Sequence, residues 1–431
     1  MKVFKDKKTM REYKKELVSK RKEENIILAK GLMLGTDTRK TRRNINTFVV
    51  GTENSDMNEN FVLPNILQGN TSFIVTDHCG EMLRSSESFL KEAGYKIKVL
   101  DLIDIKKSNR YNPFFYARDE KDVVLIVNSL PKNPNKKEEH YDKYENVLLE
   151  ALCLYVFETF LPENQNFATV SNLLFQLGQK DENGEFLFKN LFEIYKEDAP
   201  EAPSVKRYEL LMEEAKDYLY MLFVACSIRL AAFNLTTVAE FTSDDDFDLK
   251  SIGYEKTAVF CVVPGTASSF SAFVNLLYTQ AFDALLRSVD ETQDELKNPD
   301  LPYNVRLFLD TDEKFGIVPE LEKKIAIARP YGVSFTLLVR NFEKLKELYP
   351  SNDSYPMITV LEGNCDSSIV YGPQSAEVIE YFTKKLGEEK IIFASSRFTL
   401  DWLDEGHCVC FVRGYGAFYR KKYNIRRHPN Y

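Results

Sequence analysis

The chain has 431 residues, 44% of them hydrophobic and 13% aromatic, with a net charge of -8. That composition supports about two or three globular domains. No apolar run approaches the roughly 20 residues of a membrane span, and the amino terminus lacks the apolar stretch of a secretory signal, so the expectation is a soluble, cytoplasmic protein. Seven scattered cysteines without C-x-x-C spacing, and four histidines, argue against a disulfide framework, a structural zinc site or a His-rich metal centre.

Charge is unevenly spread. Residues 1–43 carry 15 Lys/Arg against 6 Asp/Glu, and residues 412–431 carry 6 against none, so the body between them is acidic. Basic ends suit nucleic acid phosphates or an anionic membrane surface, but Lys-rich helix faces are more often merely solvated. Arg39, Lys40, Arg42 and Arg43 are the nucleic-acid-binding candidates.

Residues 5–26 read as a charged, weakly amphipathic helix, and Ile26 to Leu34 as an edge strand leading to Gly35. The stretch from Asn46 to Asp77 then outlines strand, loop, helix and second strand. A helical pattern from Glu81 to Ala93 stops at Gly94, and Lys96–Asp101 reads as another strand, giving the βαβ alternation of a parallel sheet. From about 130 to 245 the pattern is helical throughout, opening on a polar linker at Pro131–Lys137 and continuing in helices at Lys143–Phe160, Phe167–Leu177 and Val205–Phe233. Strands resume at Thr257–Val263 and Val305–Asp310, with a helix at Ser269–Arg287 between them. Further strands are expected at Ser334–Val339, Ser367–Tyr371, Lys390–Ala394 and Cys408–Arg413, and a helix at Ser375–Leu386. The predicted fold is a RecA-like α/β core of the P-loop NTPase type, a mostly parallel sheet with helices on both faces. Residues 1–43 form a basic amino-terminal segment, 44–129 and 246–431 the core, and 130–245 an inserted all-helical domain.

The strand Thr47–Gly51 and its following loop sit where a phosphate cradle reads G-x-x-x-x-G-K-[ST], with glycines for close backbone approach, a lysine for the phosphates and a hydroxyl for magnesium. Here it reads Gly51, Thr52, Glu53, Asn54, Ser55, Asp56, Met57, Asn58. Met57 stands at the lysine position and Asn58 at the hydroxyl position, while Glu53 and Asp56 add carboxylates. At about 4 Å and an effective dielectric near 20, each would oppose a phosphate by roughly 4 kcal/mol. Asp310 ends a buried strand where a magnesium-organising aspartate belongs, but Thr311 follows it where a water-activating glutamate is expected; a strand-end aspartate also serves as a helix cap. Arg340 follows a strand and either faces a neighbouring site or lies on the surface, with Asn341 as a helix cap. His78 and Cys79 lack further ligands at metal-binding spacing. Asp244 to Asp246 imitate the start of a calcium loop, with Glu255 at the twelfth position, but Leu249 stands where the loop needs glycine, which favours an acidic turn. No G-x-S-x-G nucleophile elbow is present.

Taken together, the chain resembles the TraG-like coupling proteins of conjugative type IV secretion systems. The resemblance runs from Glu24-Asn-Ile-Ile-Leu28 and Asn44-Ile-Asn46 through Pro64-Asn65, Asn70–Asp77, Gly80-Glu81, Gly94–Leu100, Tyr111–Phe114, Arg229–Asn234, Lys256–Phe260 and Leu277–Gln280. It continues in Val305-Arg306 ahead of Asp310, in Gly363–Asp366, and in the closing Tyr423–Asn430. It implies a RecA-like motor with an all-α domain, in a hexameric family that hydrolyses ATP and brings relaxase-bound DNA to the secretion channel. Members usually carry an amino-terminal membrane anchor, which this chain begins without; recruitment to the inner membrane face would then fall to a partner. Members also carry Gly-Lys-[Thr/Ser] at the positions of Asp56, Met57 and Asn58, Asp-Glu at Asp310-Thr311, and a glutamine sensor at Arg340. With these elements altered together, the expectation is a catalytically silent homologue with no nucleotide cofactor. It would act as an adaptor or subunit beside the relaxase complex or an intact coupling protein. Two alternatives stand: an active DNA-dependent ATPase using ATP and Mg at an atypical site, with Arg340 replacing the lysine, and a nucleic-acid-binding accessory protein.

Overall fold

The computed structural model describes residues 7–52, 55–130, 143–265, 271–293, 301–311, 317–350, 356–386, 391–393, 396–398, 400 and 403–431. The predicted linker at 131–137 lies outside them, as do Glu53 and Asn54 of the loop. Two compact units form: residues 1–98, 249–267 and 281–431 make one, and 99–248 with 268–280 make the other.

The strands in chain order are β1 (Asn25–Ala29), β2 (Leu32–Gly35), β3 (Thr47–Val50), β4 (Ser72–His78), β5 (Lys96–Asp101), β6 (Thr257–Val263) and β7 (Val305–Asp310). They continue with β8 (Val333–Val339), β9 (Ser367–Tyr371), β10 (Ile391–Phe393), β11 (Ser396–Phe398), β12 (His407–Val412) and β13 (Gly416–Lys421). Nine of them make one sheet in the order β13-β12-β9-β3-β8-β7-β4-β6-β5. From β9 through β6 every neighbouring pair is parallel. These strands are largely apolar and buried because the middle of a parallel sheet is covered on both faces; all seven residues of β6 and of β8 are buried.

Several details differ from the sequence reading. The edge strand expected at Ile26–Leu34 is a hairpin of β1 and β2, turned at Gly31 with φ 74°, a left-handed value that glycine adopts without strain. Among the described residues the amino-terminal helix covers Lys7–Leu17 and ends well short of residue 26. Beyond β9 the sheet turns antiparallel, with β12 against β9 and β13 against β12. The strand expected at Lys390–Ala394 is the short β10, paired with β11 outside the main sheet.

In the helical unit, Lys143–Thr159 and Phe167–Leu177 match expectation. The single helix expected at Val205–Phe233 is two, Pro203–Glu214 and Leu219–Leu230, joined by a tight turn at Lys216–Tyr218. A further helix, Leu187–Asp198, was hidden in an aromatic run whose period is ambiguous. Its Phe188 and Phe192 pack with Tyr208 at ring distances of 5.5 and 5.1 Å. Arg207 ties that core to its surroundings through Glu150 at 2.6 Å and Glu120 at 2.9 Å.

At the centre of the sheet lies Arg306 of β7, fully enclosed. Its guanidinium donates to Thr336 Oγ1 at 2.8 Å and Thr47 Oγ1 at 3.3 Å and stacks on Phe308 and Phe61, 4.9 and 5.4 Å from the ring centres. Burial pushes it down to about 9. Through Phe61 it fixes the segment that follows the β3 loop, a contact worth about 0.5–2 kcal/mol.

Candidate functional site

The parallel register brings the carboxyl ends of β4, β7, β8 and β3 together, which is where open α/β sheets bind ligands. Asp310 ends β7 opposite Leu338 of β8, and Val50 of β3 lies between Val339 and Val370.

Asp310 is 1% exposed. Arg340, just beyond β8, donates to its Oδ2 from Nη2 at 3.0 Å and Nε at 3.2 Å, and His78 Nε2, at the end of β4, lies 3.2 Å from the same oxygen. Burial alone would raise the Asp310 carboxyl; the hydrogen bond from His78 and the Arg340 charge outweigh it and hold it below the ordinary carboxylate range. Arg340 is therefore neither a solvated surface charge nor aimed at an open site. Its neighbour Asn341 is the expected helix cap, accepting from Glu343 N at 2.8 Å and Lys344 N at 3.3 Å. Thr311 turns into the sheet: both its N–H and its hydroxyl donate to Leu338 O, at 3.0 and 3.1 Å.

The loop after β3 is filled by its own residues. Gly51 N donates to Val339 O at 3.0 Å, and a Cβ placed on Gly51 would come 2.1 Å from Ser55 Oγ and 2.8 Å from Met57 Sδ. Ser55 Oγ donates to Thr52 O at 2.6 Å, and Met57 is 2% exposed. Asp56, at the second glycine position of the phosphate-cradle pattern, keeps a left-handed φ of 51°, a conformation that aspartate tolerates better than most residues. Asn58 opens a π-helical turn, Asn58–Val62, that runs into Leu63–Ile66; such turns concentrate at functional sites. One cation reaches this loop from a distance that sequence spacing does not signal: Lys422 Nζ donates to Ser55 O at 2.9 Å.

Other candidates fall elsewhere. Asp77 caps the helix Glu81–Glu92, accepting from Met82 N at 3.0 Å and Leu83 N at 2.8 Å, and Cys79 is exposed. Asp244 and Asp246 are ion-paired to Arg110 at 2.7 and 2.9 Å, while Asp245 accepts from Tyr116 and from the Phe247 and Asp248 amides. Among the described residues no group of three or more His, Cys, Asp or Glu is disposed to hold a metal. The basic run divides: Arg39 and Lys40 line a cavity of about 740 Å³ with Arg329, facing Glu16, Glu24 and Asp37. Arg42 is left-handed with φ 55°, and Arg43 stacks on Tyr415 at 5.5 Å. Among the described residues no helix is long and apolar enough to cross a membrane.

The family model for type IV secretory system conjugative DNA transfer matches residues 3–398. No curated protein matches the sequence. Among solved structures, the plasmid coupling protein TrwB in complex with ADP and Mg2+ aligns with a TM-score of 0.63 at 14% identity, covering 97% of this chain and 94% of that one. Unbound TrwBdeltaN70, a bacterial conjugative coupling protein, aligns at 0.62 with the same identity and coverage. VirB4 of Thermoanaerobacter pseudethanolicus aligns at 0.51 and 12% identity, covering 94% of this chain and 98% of that one. The expected fold is thus confirmed as the RecA-like P-loop NTPase type. This chain belongs to the type IV secretory system conjugative DNA transfer family.

Proposed function

We propose that the chain is a catalytically silent coupling-protein homologue that acts as an adaptor or subunit partner in conjugative DNA transfer. The observation that carries this reading is the occupation of Asp310. A carboxylate that organises magnesium must offer its oxygens to the ion, and here the Oδ2 atom is engaged by the Arg340 guanidinium and by His78. A divalent cation would have to displace a fixed positive charge at 3.0 Å. The loop adds to the mismatch: Ser55 and Met57 crowd Gly51, and Met57 cannot neutralise a phosphate. These residues do not suit a magnesium nucleotide, so no step is assigned to one.

Partners in this reading are proteins of the conjugation machinery, the relaxase complex or a coupling protein with intact motifs. Work at the cytoplasmic face of the membrane, through such a partner, accords with the family. Nucleotide titration and an ATPase assay, with and without single-stranded DNA, test the proposal. The expected result is neither saturable magnesium-dependent binding in the micromolar range nor turnover above background. DNA-stimulated hydrolysis that is lost in Asp310→Asn would overturn it in favour of an active ATPase.

A further inference from the structure

The segment following β13 touches the loop-and-helix element after β3 at several described residues between Ser55 and Gln68. At its start Lys422 N donates to Gly406 O at 3.1 Å, and its ammonium donates to Ser55 O at 2.9 Å while lying 5.2 Å from the centre of the Tyr371 ring. Burial holds the ammonium below its ordinary lysine value, and the nearby Asp56, Glu405 and Asp404 carboxylates offset that only in part. Next, Ile425 packs with Leu63, Leu67 and Phe89. At the far end His428 Nε2 lies 3.2 Å from Gln68 Oε1, and Asn430 Nδ2 donates to Leu67 O at 2.8 Å. Thus one strap touches the element at its first turn, its apolar face and its last carbonyl.

The polarity of the first contact is informative. A phosphate cradle presents backbone N–H groups to an anion; here the backbone presents a carbonyl, beside Asp56, to a cation. We infer that residues 422–431 are an intrachain ligand of the segment 55–68, with the Lys422 ammonium as the ion that pins its first turn and release of the strap as the event that frees it. This rests on the reading that the loop does not hold nucleotide phosphates.

Hydrogen exchange on the full chain tests the inference. Lys422→Met keeps the apolar stem and removes the charge; peptides covering residues 50–62 should then exchange roughly tenfold faster or more, with β12 and β13 unchanged. Asn430→Ala, at the opposite end, should quicken exchange around 63–68. Unchanged exchange at 50–62 in Lys422→Met overturns the strap. A separate arm adds ADP or ATP with magnesium to the parent protein. Protection of 50–62 that disappears in Lys422→Met makes Lys422 a phosphate ligand and overturns both readings. Protection that survives in Lys422→Met, where exchange without nucleotide has risen, overturns only the nucleotide-free reading.

Discussion

Replacing Arg340 with methionine is the sharpest perturbation of the site. The Arg340 side chain is 20% exposed and Asp310 only 2%, so the change takes the guanidinium charge away from a buried carboxylate that His78 still contacts. Breaking a buried ion pair costs about 3–5 kcal/mol, mostly from the stranded charge. Because Arg340 keeps some contact with solvent and His78 remains, we expect about 2–3 kcal/mol here. Peptides from β7 and β8 should then exchange roughly 30- to 150-fold faster where local opening controls the rate. In the double variant Asp310→Asn with Arg340→Met no charge is stranded, and stability should return to within about 1 kcal/mol of the parent. The Asp310 carboxyl sits below its unfolded value, so the stabilisation is complete above about pH 4 and is lost as pH falls through the lowered value. If Arg340→Met is neutral, or if the double variant costs the sum of the two single changes, the pair does not hold the sheet end and Asp310 is free to take another partner.

Two further outcomes are expected. Gly51→Ala would drive a Cβ against Ser55 Oγ and Met57 Sδ; since both can move, the cost should be about 1–2 kcal/mol by thermal or chemical melting, and adding Met57→Ala should recover part of it. In His428 the Nδ1 atom accepts from Asn430 N at 3.2 Å, leaving Nε2–H to donate to Gln68, and burial lowers the ring below its usual value. Protonation therefore favours release: the stability of the docked segment is complete above about pH 6.5 and falls as pH drops below that. Exchange in 423–431, corrected for intrinsic rates, should rise between pH 7.5 and 5.5 in the parent but not in His428→Gln.

Much of the core was legible because each inner strand carries its own signal. Thr47–Val50, Thr257–Val263 and Val305–Asp310 are short, β-rich runs bounded by turn residues, and burial on both faces demands that pattern. β13 escaped because Gly416–Lys421 mixes Phe418 and Tyr419 with Arg420 and Lys421, as an edge strand can. The split of Val205–Phe233 escaped because the turn at Lys216–Tyr218 contains neither glycine nor proline. At the site, the loop's departures from a phosphate cradle were visible residue by residue. The joining of His78, Asp310 and Arg340 was not, since β4, β7 and β8 meet only once the sheet order is set. Lys422 was more remote still: 367 positions separate it from Ser55, and no local periodicity encodes that contact.

The two outer strands of the large sheet carry a consequence for assembly. β5 bears Lys96 and Lys98, β13 bears Arg420 and Lys421, and Lys30 N already takes the Lys421 carbonyl at 3.1 Å. Cationic side chains on a sheet's margin discourage a second chain from adding its backbone there. That arrangement favours recognition of this protein through side-chain surfaces, which can be specific, over extension of its sheet, which would accept almost any strand.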